Sequence, residues 1–174
     1  ISSVLASDLA LKEQLSETDL SVLNSIQKTN SVGVHVRRGD YVKKGVKLCS
    51  VGYYSAGAET IRKISGHLGE MTFYVFSDDI EWCKENLSNI DNSFIVDHSY
   101  KGDRFGEYLE LMKNCNHFII PNSSFAWWSA YLCDNQNKIV LTTLINRPDI
   151  TATENCDIDY NNSGFDLKLL KKEL

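Results

Sequence analysis

From Ser16 to Leu141, short apolar runs alternate with longer stretches in which apolar positions recur every three or four residues. Ser16 followed by Glu17, Thr18 and Asp19 offers a capped, acid-rich first turn, and Leu20, Leu23 and Ile26 follow at helical spacing, which predicts a helix over 17–29. Thr29-Asn30-Ser31 breaks it, and Val32, Val34 and Val36, alternating with Gly33 and His35, predict a strand. The alternation then repeats. Helices are expected over 53–66 (Tyr54, Ala58, Ile61 and Ile64 on one face), from Asp79 to Asn86, over 104–114 (Tyr108, Leu111, Met112) and from Ser124 to Cys133. Strands are expected at 73–76, 94–96, 118–120 and 138–141. The stretch 146–164 has no periodicity and is expected to wrap the domain as a loop, before a closing helix from Asp166 into the Lys-rich end.

Short apolar strands alternating with helices predict an α/β fold, a doubly wound, Rossmann-like parallel sheet covered on both faces. With 174 residues and no repeat or linker, the chain reads as one domain over 1–174. Such sheets bind ligands at the carboxyl ends of their strands, near a switch in strand order. The polar stretches to inspect are therefore Arg37-Arg38-Gly39-Asp40, Ser77-Asp78-Asp79, Asp97-His98-Ser99 and Pro121-Asn122-Ser123-Ser124. The glycine-rich dinucleotide fingerprint and the Gly-Lys-Ser/Thr phosphate loop are both missing, which argues against a nicotinamide dehydrogenase or a P-loop enzyme.

Composition narrows the classes further. Hydrophobic residues at 43% and charged residues at 24% exclude a largely disordered chain. The net charge of −5 argues against a nucleic-acid partner. Five scattered cysteines (Cys49, Cys83, Cys115, Cys133, Cys156) without Cys-x-x-Cys spacing suggest buried thiols rather than a disulfide framework or a zinc site. No apolar run approaches the roughly 20 residues that span a bilayer, and no signal peptide is visible. The start at Ile1 rather than Met suggests a processed or excised piece.

Two adjacent arginines at a strand end are costly to hold near a core unless an anion meets them, and guanidinium binds phosphate bidentately. Gly39 lets the chain turn sharply, and Asp40 can lock that turn or orient an arginine. On residue chemistry alone, a surface pair salt-bridged to Asp40 is an equal reading. Asp78 and Asp79 are open to two readings, a ligand site or helix capping. Trp127-Trp128 invites a sugar-stacking reading, although two tryptophans in an apolar helix are more often core.

The run His35-Val36-Arg37-Arg38-Gly39-Asp40-Tyr41 resembles the first signature of the bacterial-type α-1,2-fucosyltransferases. Phe76-Ser77-Asp78-Asp79-Ile80-Glu81-Trp82 resembles the second, and the stretch from Leu111 to Leu132, with Pro121-Asn122-Ser123-Ser124-Phe125-Ala126-Trp127-Trp128, resembles the third. The resemblance covers about residues 15–145. It implies the C-terminal, donor-binding lobe of a two-lobed GT-B-type glycosyltransferase, with the N-terminal lobe outside this chain. It also implies GDP-fucose as donor, inverting transfer to the 2-hydroxyl of a galactose-containing acceptor glycan, and no metal or other cofactor. By position, Arg37 takes the β-phosphate, with His35 near the nucleotide. Arg38 and Asp40 brace the turn or add charge, Asn122, Ser123 and Ser124 form a phosphate-facing helix start, and Asp78 lies at the mouth of the cleft. The acidic residue usual before the Leu-x-Leu-Met run is replaced by Tyr108, which shifts the expected guanine contact to Glu107. The catalytic set is Arg37, His35 and Asp40, with the general base open among Asp40, Asp78 and His35. A cytoplasmic protein in bacterial polysaccharide or lipopolysaccharide synthesis is expected, with peripheral association at the inner membrane as an option. Three rivals stay open: a GDP-binding module without activity, a transferase for another nucleotide sugar, and a ligand-free interaction domain.

Overall fold

A computed structural model describes residues 5, 7–46, 48–97, 105–143 and 168–169. Its first long element, α1 (Glu17–Lys28), starts where the sequence predicts, with the Ser16 hydroxyl accepting the Asp19 N–H at 3.1 Å. β1 (Asn30–Val36) follows, then α2 (Gly39–Lys43), α3 (Val51–Ser65) and β2 (Met71–Ser77). The chain continues through α4 (Ile80–Asn86), β3 (Ser93–Ile95), α5 (Phe105–Lys113), β4 (His117–Ile120), α6 (Ser124–Leu132), β5 (Val140–Thr142) and β6 (Lys168–Leu169).

The sheet order is β3-β2-β1-β4-β5-β6, with β1 to β5 parallel and β6 antiparallel. This is the doubly wound α/β fold expected from the alternation. Successive side chains on each strand point to opposite faces, so two cores form. On one face Val32, Val34, Val36, Phe73, Val75 and Ile119 pack with Tyr54, Ala58 and Ile61 of α3 and with Cys83 and Leu87 around α4. On the other, Tyr74, Phe76, Phe118 and Ile120 meet Ile26 of α1, Leu111 and Met112 of α5, and Phe125, Ala126 and Ala130 of α6. Helix α3 lies close to β4 because position 57 is glycine: a Cβ there would stand 2.9 Å from Cγ2 of Ile119. Cys49, Cys83, Cys115 and Cys133 are buried, unbridged thiols, and burial raises Cys83 to a pKa of about 11. Cys156 lies outside the described residues.

Three expectations change. Gly39 opens the short helix α2 instead of a sharp turn, and its φ is not in the left-handed region. Residues 168 and 169 pair with β5 as a strand, where a helix from Asp166 was expected; the 146–164 loop lies outside the described residues. Trp127 is 45% exposed rather than core, with its ring stacked on Tyr131 at 5.0 Å. No helix among the described residues is long and apolar enough to cross a membrane.

Strand order reverses between β1 and β4: β2 and β3 extend the sheet to one side of this pair, β5 and β6 to the other. The crevice outside their carboxyl ends is where such a sheet takes a ligand. Residues 37–40 leave β1 at that edge, residues 121–124 leave β4, and residues 78–79 leave the neighbouring β2.

Candidate functional site

The crevice is built around Arg37. Its guanidinium bridges two carboxylates, Asp40 at 2.6 Å and Asp78 at 2.9 Å. Lys44 meets the other oxygen of Asp40 at 2.9 Å. That ammonium first, and then Arg37, hold the Asp40 carboxyl below the usual carboxylate range, against an opposing effect of burial. Arg37 also lies 5.5 Å over the ring of Tyr41. These groups are partly exposed, so their worth to stability is small; their effect is to fix where the guanidinium points.

Asp78 is the hub of the arrangement. One carboxylate oxygen takes Arg37, and the other accepts the Arg38 N–H at 2.8 Å. The carboxylate approaches so closely that a Cβ at position 39 would stand 2.8 Å from its Oδ2. A side chain at 39 would have to displace this carboxylate, so glycine there is favoured by close approach rather than by an unusual turn. Arg38 points elsewhere: its Nε meets Asp79 at 3.1 Å and its guanidinium lies 4.1 Å over Trp82. Asp79 in turn caps α4 by accepting the Trp82 N–H at 3.2 Å. The two aspartates thus divide the readings offered by the sequence. Asp79 caps a helix, and Asp78 braces the arginines.

His35 lies at the penultimate position of β1, only 4% exposed, with its ring 5.2 Å from that of Phe125. Its Nδ1 is buried without a hydrogen-bond partner. Burial, aided by the charge of Arg37, lowers its pKa to about 3, so the imidazole is neutral at physiological pH.

Across the crevice, α6 begins behind Ser123. Ser16, Ser50 and Asp79 cap their helices through their side chains, whereas Ser123 makes no capping bond. The opening turn of α6 thus presents backbone N–H groups and a positive dipole end to the site. Tyrosines hold its approach. Tyr41 donates to the Asn122 carbonyl at 3.0 Å, tying the exit of β1 to the exit of β4, and buried Tyr53 donates to the Ile120 carbonyl at 2.7 Å. Tyr108 accepts the Ser77 N–H at 2.7 Å, so the residue that stands where an acidic one was expected secures the end of β2. Glu107, beside it on α5, is buried.

Direct contacts therefore unite Arg37, Arg38, Asp40 and Asp78, and Tyr41, under the Arg37 guanidinium, ties Asn122 to them, while His35 lies against Phe125 of α6. Tyr41, Tyr53, Tyr108 and Trp82 are the supporting residues that sequence reasoning left without roles. Of the four strand ends singled out, Asp97 is described and pairs with Lys84, whereas His98 and Ser99 lie outside the described residues. Among the described residues no group of three or more His, Cys, Asp or Glu is placed to hold a metal ion.

The pattern of glycosyl transferase family 11 matches residues 6–161. The chain belongs to this family. Relatives of this family 11 chain include an α-1,2-colitosyltransferase of Escherichia coli, 37% identical over 143 residues that cover 75% of this chain and 47% of the relative. A galactoside 2-α-L-fucosyltransferase, SEC1 of Bos taurus, is 33% identical over 116 residues, 63% of this chain and 30% of the relative. Among solved structures, the fucosyltransferase NodZ from Bradyrhizobium aligns with 15% identity and a TM-score of 0.46, over 78% of this chain and 47% of that one. The family 11 chain thus spans about half or less of the length of the curated relatives it matches.

Proposed function

We propose that this chain is the donor-binding lobe of an inverting GT-B-type fucosyltransferase. It takes GDP-fucose and supports transfer of L-fucose to the 2-hydroxyl of a galactoside in a surface glycan or oligosaccharide. The observation that carries the reading is that Arg37, at the exit of β1, and the uncapped start of α6, at the exit of β4, follow adjacent parallel strands. A guanidinium on one side and a helix N-terminus on the other suit a diphosphate.

Breaking the bond between fucose and GDP builds negative charge on the departing diphosphate. Arg37 and the N–H groups of the first turn of α6 stabilise that charge, and because Asp40 and Asp78 hold the guanidinium beforehand, little reorganisation is needed. Arg38, engaged with Asp79 and Trp82, supports the site from behind. Inversion requires a base for the acceptor proton, which we assign among Asp40, Asp78 and His35. The enclosure of His35 favours the two carboxylates. The reaction proceeds without a metal cofactor, in the cytoplasm or peripherally at the inner membrane.

A second reading has its own support. Because the chain covers 47% of the colitosyltransferase, it could bind donor without transferring the sugar. Calorimetry with GDP, GDP-fucose and UDP, on the wild type and on Arg37→Ala, tests the shared premise. Binding is expected for GDP and GDP-fucose over UDP, and at least a tenfold loss in the variant, as fits a charge-assisted phosphate contact. Equal binding of GDP and UDP, or none of either, would overturn it.

A further inference from the structure

Phe105 is the first residue of α5, and it is 55% exposed. A single exposed phenylalanine is ordinary; its position gives this one meaning. Phe105, Tyr108 and Met112 follow helical spacing, and the latter two are buried against the sheet. The Tyr108 hydroxyl meets Ser77, the last residue of β2. Phe105 lies nearly one helical turn earlier, so its ring projects past the carboxyl edge of the sheet instead of into the core. There it packs edge-to-face on Phe125, centroids 4.4 Å apart, and Phe125 also meets the ring of His35 at 5.2 Å. An open aromatic ring thus stands two ring contacts from the residue that precedes Val36 and Arg37.

We propose that Phe105 is the stacking platform for the base of the donor nucleotide. The inference rests on the donor reading above and deepens it. A nucleoside diphosphate has an anionic end and a flat aromatic end, and the crevice offers a matching pair, Arg37 for the first and Phe105 for the second. Stacking on an aromatic side chain uses the π-face that every base has, so this contact supplies affinity while selectivity between bases comes from elsewhere. Phe105 is accordingly a binding residue and takes no part in bond breaking.

The test is equilibrium binding of GDP and of inorganic pyrophosphate to the wild type, Phe105→Ala, Phe105→Leu, Phe105→Trp and Arg37→Ala. Phe105→Ala and Phe105→Leu are expected to weaken GDP about tenfold or more while leaving pyrophosphate unchanged, and Phe105→Trp to retain GDP binding. Arg37→Ala is expected to weaken both ligands. Unchanged GDP affinity in Phe105→Ala, or full retention by Phe105→Leu, would overturn the stacking role even if Arg37→Ala still abolished binding. Equal loss of GDP and pyrophosphate in Phe105→Ala would overturn it too, by showing general damage to the site. A wild type that binds no GDP would overturn both this inference and the donor reading.

Discussion

His35 shows what a single buried residue contributes here. In the unfolded chain it would take up a proton near its ordinary pKa of 6.5, whereas in the folded protein it does so only near 3. Folding therefore favours the neutral form. The favourable contribution is complete above pH 6.5 and is lost as pH falls from there towards 3. His35→Gln removes this proton uptake. Between pH 6 and 4 the wild type should lose about 1.4 kcal/mol more per pH unit than the variant, a difference that urea unfolding at stepped pH would register. Parallel slopes would show that His35 is charged or exposed in the native state. The same burial that costs acid stability sets an uncharged imidazole beside Arg37, so the proposed phosphate site gains no second charge from it.

At the level of elements, β1 to β5 were legible because each is rich in β-branched or aromatic residues, and the arginine pair was legible by its place after β1. What stayed hidden depends on contacts between distant positions. Helix α2 is five residues beginning with glycine and burying none, too short to show a period; Lys44–Asp40 and a Val42 N–H to Arg38 carbonyl bond sustain it. Helix α6 is apolar on all sides, so its sequence does not tell which face turns inward. Ala126, Ser129 and Ala130 do, because small residues let the helix approach the sheet, and Trp127 is left outside. Residues 168 and 169 pair with β5 because the backbone groups of a strand edge require partners, against the helix-forming composition around them. The Tyr41–Asn122 bond joins residues 81 apart, and no local pattern foretells it.

Helix–sheet spacing yields a matched pair of expectations at the same level. Ala exceeds Gly in helix propensity by about 1 kcal/mol, but at position 57 the new methyl would press on a β-branched side chain within β4. Overpacking of that kind costs about 1–3 kcal/mol and should prevail, so Gly57→Ala should lower the unfolding midpoint. Gly66, at φ −60° with open space around it, carries no such conflict. Gly66→Ala should be stabilising by about 0.4–1 kcal/mol. Thermal melts of the two variants against wild type check both signs.

On the scale of the whole molecule, the crevice proposed for the donor is formed by residues of this chain, while the chain covers 47% of the colitosyltransferase relative. Donor binding and sugar transfer should therefore separate. This chain alone is expected to bind GDP yet give no fucosylated product with a β-galactoside acceptor, whereas a family protein of full relative length should give it. A chromatographic transfer assay decides, and turnover by the chain alone would mean that the acceptor site is also here.

The way the sheet finishes has a consequence for solubility. An open sheet is vulnerable at its margins, where unpaired backbone groups can recruit a neighbouring molecule into a growing ribbon. Here the described margins are brief: three residues in β3 on one side and two in antiparallel β6 on the other. Partially exposed Phe94 marks the β3 side, but three residues are a poor template for pairing. Even with an apolar interior of parallel strands, the described edges give another copy of the chain little to grip.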